Sequence, residues 1–462
     1  MLLDKLKKYS ASGAVPMHMP GHKRNMAAFP WLGELGGELD ITEIDGFDNL
    51  NDPQDIFSEL EARVARLWGA DRSICLVNGS TVGVLSAVRA ALERGGELLI
   101  ARGSHKSVYH AAELMDATVH YLMPRVDTES GIWDSVTADD VAKALDEHPG
   151  VRLVAVTSPT YEGVISDVRA IADVCHERGV VLFVDEAHGA HLGFGGFPEN
   201  SLRCGADLVV QSLHKTLPSL NQTAVLHING DRVDPLDVRR NTGIFQTSSP
   251  SYILAASIDG CIRYLEREGE SAAARWLSAR RQFDEDVRGL RNLHIYHGGE
   301  SVFELDPSKI VISSAGCDIS GAGLMELFRK KFSIELEMAG IDYVVAMTGV
   351  GDTDETLRRL AQAVCEADVM CRRSGDAPSP RGFTLPERRM KAHEAIASPC
   401  EFCRIADAGG RVSAEYVWAY PPGVPLIVPG EVIDDDVIRA ISPGGNLHST
   451  RGGVPDRILC VC

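Results

Sequence analysis

The stretch Val180-Val181-Leu182-Phe183-Val184-Asp185-Glu186-Ala187-His188-Gly189-Ala190-His191 decides the fold. Five apolar residues in succession, four of them β-branched or aromatic, read as a strand buried on both faces. An acid–histidine cluster comes next, at its carboxyl end. Comparable runs stand at 98–100, 151–157, 208–210 and 224–228, and helix-patterned stretches such as 167–178 lie between them. Ile56, Leu60, Val64 and Leu67 recur at helical spacing before Gly69, as do Val84, Leu85, Val88 and Leu92 before Gly95-Gly96. Buried strands alternating with helices predict an α/β domain with a mostly parallel sheet over residues 51–290.

The flanks differ. Residues 1–50 show little periodicity and form an N-terminal arm. From 291 to 372 strand-like 311–313, helix-like 324–332, strand-like 343–347 and helix-like 355–367 suggest a smaller α+β domain. Residues 373–462 open with a linker at 373–386 and continue as a C-terminal domain carrying Tyr420-Pro421-Pro422-Gly423-Val424-Pro425 and Pro429-Gly430-Glu431. No repeat is present, and 462 residues suit about three modules.

Composition excludes several classes. Hydrophobic content of 44%, charged content of 24% and a mean hydropathy near zero describe a globular chain, not a disordered or fibrous one. A net charge of −19 disfavours nucleic acid and anionic membranes as partners. Eleven cysteines without a repeating spacing argue against a disulfide framework. Cys400 and Cys403 form a C-x-x-C, but Cys460 and Cys462 form a C-x-C, so scattered thiols are expected in preference to a zinc site. Asp4 and Lys5 fall where a signal peptide is apolar, and no run of 18 apolar residues exists; the cytoplasm is the expected compartment.

Asp185-Glu186-Ala187-His188 spells a helicase DEAH box, yet the chain has no Gly-Lys dipeptide and hence no Walker loop. His188 and His191, with Asp185 or Glu186, could share a metal on a helix; at a strand end before Gly189 they are not expected to, and no metal is predicted. The third reading places Asp185 in the crevice outside the carboxyl ends of the strands, where α/β sheets bind ligands. A buried carboxylate there needs a cation, and a protonated pyridine nitrogen is one.

A pyridoxal phosphate site also requires a lysine, an anion cradle and a group to stack on the ring. Of the His-Lys lysines Lys23, Lys106 and Lys215, the last comes after the strand at 208–210 in Ser212-Leu213-His214-Lys215-Thr216, one strand–helix–strand unit after Asp185. Asn78-Gly79-Ser80-Thr81 opens the helix of Val84–Leu92 with backbone N–H groups and two hydroxyls, which suits an anion. His105 lies just beyond the strand at 98–100. Each feature alone has a bland reading, as a surface lysine, a helix cap or a structural histidine. Together they occupy successive strand ends.

In this order the features resemble the pyridoxal-phosphate decarboxylases of ornithine, lysine and arginine, which have the type I, aspartate-aminotransferase-like fold. The matching segments are Met19-Pro20-Gly21-His22-Lys23, Asp40-Ile41-Thr42-Glu43, Asn78-Gly79-Ser80-Thr81, His105-Lys106-Ser107, Pro159-Thr160-Tyr161-Glu162-Gly163, 185–191, 212–217 and the C-terminal Pro-Pro-Gly-Val-Pro run. The length is similar to that of the compact members without an N-terminal wing domain. The resemblance implies Schiff-base formation by Lys215, pairing of Asp185 with the pyridine nitrogen, and stacking of His105 and Ala187 on opposite ring faces. It implies a phosphate held by Ser80, Thr81, Ser212 and His214, with Gly79 and His188 also against the cofactor. Thr247 and Ser248 would reach a neighbour's phosphate, making the active unit at least a homodimer. His105 or Lys215 would return a proton to Cα.

The implied reaction is decarboxylation of a basic amino acid, arginine first, lysine second and ornithine third, to the di- or polyamine and CO2. An aminotransferase, aldolase or lyase would use the same lysine and aspartate, and a non-catalytic relative would not need to retain them. Glu415, Glu431 and Asp48 are the candidates to meet the substrate's distal cation.

Overall fold

The computed structural model describes residues 1–127, 130–374, 384–419, 424–441, 447–452 and 456–462. Its centre is a sheet of seven strands: β1 (Arg72–Leu76), β2 (Glu97–Ala101), β3 (Thr118–Leu122), β4 (Val151–Thr157), β5 (Val181–Asp185), β6 (Leu208–Ser212) and β7 (Ala224–Ile228). Their spatial order is β1-β7-β6-β5-β4-β2-β3. β2 through β6 pair in parallel, with Thr157 opposite Asp185 and Asp185 opposite Val210. β7 runs antiparallel to both neighbours, β1 and β6. The carboxyl ends of β1, β2, β4, β5 and β6 therefore share one edge, where the acid, lysine and histidine motifs lie.

The sheet is mostly parallel because both faces are covered. Val64, Trp68, Ile171 and Ile262 belong to the core on one side, and Val84, Val88, Val108 and Tyr109 to the core on the other. β5, β6 and β7 are buried at every position, as continuous apolar runs require.

A 35-residue helix, α1 (Tyr252–Asp286), joins the central sheet to a second, smaller one. At 1.5 Å per residue it spans about 52 Å. Its first half packs Ala255, Ile258 and Ile262 into the central core. Its end places Ala279 and Phe283 in a second core with Ile310, Ile312, Val344 and Leu360. That core covers a four-stranded sheet of β8 (His294–Ile295), β9 (Lys309–Ser313), β10 (Met338–Ala339) and β11 (Tyr343–Met347), ordered β10-β11-β9-β8. The helix expected at 324–332 is α-helical over Gly321–Leu327 and a π-turn over Phe328–Phe332.

The C-terminal residues build a further core of Ile405, Val417, Ile427 and Ile433. It docks on the central unit through stacked Tyr416 and Trp418, both edge-on to Tyr109. Tyr420-Pro421-Pro422-Gly423 and residues 375–383 of the expected linker lie outside the described residues. Among the described residues no helix is long and apolar enough to cross a membrane.

Candidate active site

Asp185 ends β5 and is buried. Burial lifts its carboxyl above the ordinary range; Lys215 and the Ala187 N–H, 3.2 Å from Oδ1, oppose that. Lys215 sits on the short turn Leu213–Thr216 directly after β6. Burial pulls its ammonium down to about 8, against the attraction of Asp185 and with help from Lys309. Its Nζ lies 2.8 Å from His188 Nε2 and 5.5 Å from the centre of the Tyr161 ring.

His188 packs on Tyr161 with ring centres 4.1 Å apart. Burial first, then Lys215 and Lys309, hold His188 far below the ordinary imidazole range, so it stands neutral and Nε2 accepts from the Lys215 ammonium. Among the described residues, His188 Nδ1 is buried without a hydrogen-bond partner.

His105 caps the helix Lys106–Leu114, its Nδ1 accepting from the Ser107 N–H at 3.3 Å and standing 2.8 Å from Ser107 Oγ. Burial, then the charge of Lys215, takes it down to about 3, which places a neutral imidazole in the field of the lysine. At the end of β1, Gly79 takes φ +78° and opens the helix Gly79–Ala91, which no side chain caps. Asn78 at the cap position is engaged elsewhere: its Oδ1 accepts from the Thr247 N–H at 3.1 Å. Ser80 and Thr81 thus stand on a helix start with unspent donors. Thr247 and Ser248 begin beside that start in their own chain, with Asn51 donating to the Thr247 carbonyl at 3.1 Å.

Ser212 Oγ is buried and unpartnered among the described residues. Its N–H donates to the Ala187 carbonyl at 3.3 Å, which ties the ends of β5 and β6 together. His214 donates from Nδ1 to the Thr223 carbonyl at 2.9 Å, leaving Nε2 unspent.

Several side chains were not singled out by sequence reasoning. Tyr161 stood in a quoted motif without a role. Asp306 and Lys309, both fully buried, form an ion pair at 2.8 Å behind the site. Asp306 also accepts from His191 Nε2 at 2.9 Å, and Lys309 reaches the His188 carbonyl at 3.4 Å. These partners are 115 and 121 residues apart, so no local spacing could reveal them. Glu337, from the small sheet, contributes a negative field at Lys215.

The carboxylates expected to meet a substrate cation are all committed to structure. Glu431 accepts both ends of the Arg102 guanidinium at 2.7 and 2.9 Å, in full burial. Glu415 accepts from the Leu459 N–H at 2.7 Å and the Arg451 N–H at 3.2 Å. Asp48 accepts four backbone N–H groups, those of Asn49, Gln54, Asp55 and Phe57. Sequence did not place these side chains; the Arg102 guanidinium claims Glu431, and backbone donors claim Glu415 and Asp48. Glu186 likewise turns from the crevice to Ser201 and to Gln211 Nε2 at 2.6 Å. His188 and His191 diverge, one to Lys215 and one to Asp306, and among the described residues no three His, Cys, Asp or Glu side chains gather to hold a metal.

The chain is similar to known proteins along most of its length. The family described as Orn/Lys/Arg decarboxylase, major domain, matches residues 1–298, and the one described as Orn/Lys/Arg decarboxylase, C-terminal domain, matches residues 382–442. An arginine decarboxylase of Bacillus subtilis is 29% identical over 94% of this chain and 91% of its own. The lysine decarboxylase LdcA of Pseudomonas aeruginosa is 23% identical over 92% of this chain and 73% of its own. The crystal structure of the Francisella novicida lysine decarboxylase LdcF superposes with a TM-score of 0.84 at 19% identity, covering all of this chain and 81% of that one.

Proposed function

Because the chain belongs to the Orn/Lys/Arg decarboxylase family, we propose that it removes the α-carboxylate of arginine, using pyridoxal phosphate held at Lys215. The observation that carries this reading is the placing of half-buried Lys215 and buried Asp185 at adjacent strand ends, with the lysine's ammonium drawn down to about 8. A lysine so tuned is a usable nucleophile near neutral pH.

The residues present fit the cofactor. A pyridinium would give buried Asp185 a cation of its own, and a phosphate would take the unspent donors at Ser80 and Thr81, beside Gly79, and the orphaned Ser212 Oγ. With its Nδ1–H spent on the Thr223 carbonyl, His214 would donate to that group from Nε2 only as the protonated imidazolium, which the phosphate's charge favours. When bound, pyridoxal phosphate supplies an electron sink for the bond to the departing carboxylate.

The remaining work falls to the chain. Asp185 keeps its partner nitrogen protonated by charge attraction. His105, neutral and fixed by Ser107, offers a flat face for stacking; Ala187 is small enough to pack opposite. Neutral His188 accepts a hydrogen bond from Lys215 Nζ and so orients the amine, and Lys215 or His105 returns a proton to Cα. Glu337 gives the crevice a negative side that suits the distal cation of a basic substrate. Arginine ranks first because the arginine-decarboxylating relative is the more similar; lysine comes second and ornithine third.

A homodimer completes the reading. Met17, Met19, Trp31 and Leu35 of the N-terminal arm are exposed at 87%, 60%, 59% and 69%, an apolar surface that a second copy would cover. Thr247 and Ser248 would then complete the neighbour's phosphate site. All eleven cysteines are free, which suits the reducing cytoplasm.

Release of CO2 from arginine, lysine and ornithine, each tested with added pyridoxal phosphate, decides the matter. We expect release from arginine foremost, and none from Lys215→Ala, which also loses the bound cofactor's visible absorbance. Cofactor binding without release from any of the three would overturn the decarboxylase reading for these substrates.

A further inference from the structure

A cavity of about 470 Å³ opens where the last turns of α1 meet the small sheet, and neither Lys215, Asp185 nor His105 lines it. Its size falls in the range of metabolite sites, roughly 300–1,000 Å³. Arg280 and Arg281, adjacent on α1, stand on one wall; Asp306 and Lys309 stand on another.

Glu162, Asp284 and Asp306 share the lining with Arg280, Arg281 and Lys309, and all three acids are already engaged. Lys309 and Asp306 neutralise each other at 2.8 Å. Glu162, also in the lining, is occupied by the Tyr343 hydroxyl at 2.8 Å and the Thr160 hydroxyl at 3.1 Å. Asp284 touches Nη1 of Arg280. Beyond that contact and the Phe283 ring, 5.3 Å away, the Arg280 guanidinium has no partner among the described residues, although its side chain is only 8% exposed. Its Nε is buried with no hydrogen bond. Arg281 spends its Nε on the Leu277 carbonyl at 3.3 Å, and no acid among the described residues pairs with its guanidinium. What the lining lacks is an uncommitted acceptor for these donors. A buried guanidinium with unmet donors is costly, and an oxyanion with two or more oxygens matches its fork.

We propose that this cavity is an effector site for a small metabolite bearing a carboxylate or a phosphate, gripped by Arg280 with Arg281 at its mouth. The wall that Lys309 forms also faces the catalytic crevice. Lys309 reaches the His188 carbonyl at 3.4 Å, and His188 Nε2 meets Lys215 Nζ at 2.8 Å. Two side chains thus separate the effector from the catalytic lysine. An oxyanion beside Lys309 changes the balance of the Asp306–Lys309 pair and, through the His188 backbone, the position of the imidazole against Lys215. By reciprocity, substrate binding then changes effector affinity by the same factor.

The test is calorimetric titration of the cofactor-loaded enzyme with inorganic phosphate and, separately, with succinate. Loading keeps phosphate out of the cofactor's own cradle, and heat of binding is read whether or not the enzyme releases CO2. We expect at least one probe to bind at one site per chain, and the probe that binds identifies the anion class. Arg280→Gln should weaken it by about tenfold or more, leaving the cofactor's visible absorbance unchanged. Arg281→Gln should weaken it by less. If Arg280→Gln does not load cofactor, Arg280→Lys replaces it, keeping the charge but losing the fork. Failure of both probes to bind, or undiminished binding in the Arg280 variant, would overturn the proposal.

Discussion

Two acid–base pairs, one fully buried and one partly, occupy the central domain and its borders, and they are built in opposite ways. Arg102 and Glu431, 0% and 1% exposed, meet in a bidentate fork, and the second carboxylate oxygen of Glu431 also takes the Val428 N–H at 2.9 Å. Asp185 is buried and Lys215 half-buried, and here Lys215 turns to a neutral histidine and Asp185 to one amide. Ser212 Oγ and His188 Nδ1 beside them have no partner among the described residues. The first two charges are spent on each other; the second two are not. A satisfied pair holds a domain in place, whereas unsatisfied groups at a sheet's carboxyl edge await a ligand.

Breaking each pair should therefore give different losses. Glu431→Ala leaves the Arg102 guanidinium buried and uncompensated, and should cost about 3–5 kcal/mol in thermal or chemical unfolding. Activity per folded molecule should hold. Asp185→Asn should do the reverse: stability near that of the parent, CO2 release lower by on the order of 10²-fold or more. Equal stability losses in the two variants would erase the distinction.

The unsatisfied pair should also show itself in pH. Lys215 is protonated below about 8, so the neutral amine that captures cofactor grows scarcer as pH falls. Capture by cofactor-free enzyme, followed by visible absorbance, should slow by about tenfold per pH unit below that value and level off above it. A midpoint near 10.5, the ordinary lysine value, would mean that burial does not tune this residue. The smallest effect concerns Glu337, which is exposed and acts through solvent. Glu337→Gln should raise KM for a basic substrate by a few-fold, roughly the 0.2–1 kcal/mol of a screened charge, with kcat nearly constant.

Much of the site was legible along the chain because its residues stand at strand ends. The runs at 151–157 and 224–228 coincide with β4 and β7, since a strand buried on both faces has no polar alternation to blur its limits. The same apolar run carries no direction, so the antiparallel course of β7 was invisible. The expected division at 290 likewise gave no hint that α1 feeds two cores, because one long helix has no composition change where its partners change. The candidate carboxylates failed for a related reason. Glu431 is 329 residues from Arg102, and Glu415 is 44 from Leu459; what satisfies an acid is set by who folds against it.

By itself the sequence determined the α/β class, the order of motifs at the strand ends and the placing of Asp185 and Lys215 at neighbouring strand ends. These rest on local patterns: apolar runs, helix spacing, and one connection between neighbouring strands. Only the tertiary structure decided that His188 faces Lys215 while His191 turns to Asp306, that Tyr161 backs the lysine, and that Arg280 is enclosed with its donors unmet. Those outcomes depend on contacts between distant segments, and a buried polar group takes its role from whichever partner packing brings within about 3 Å.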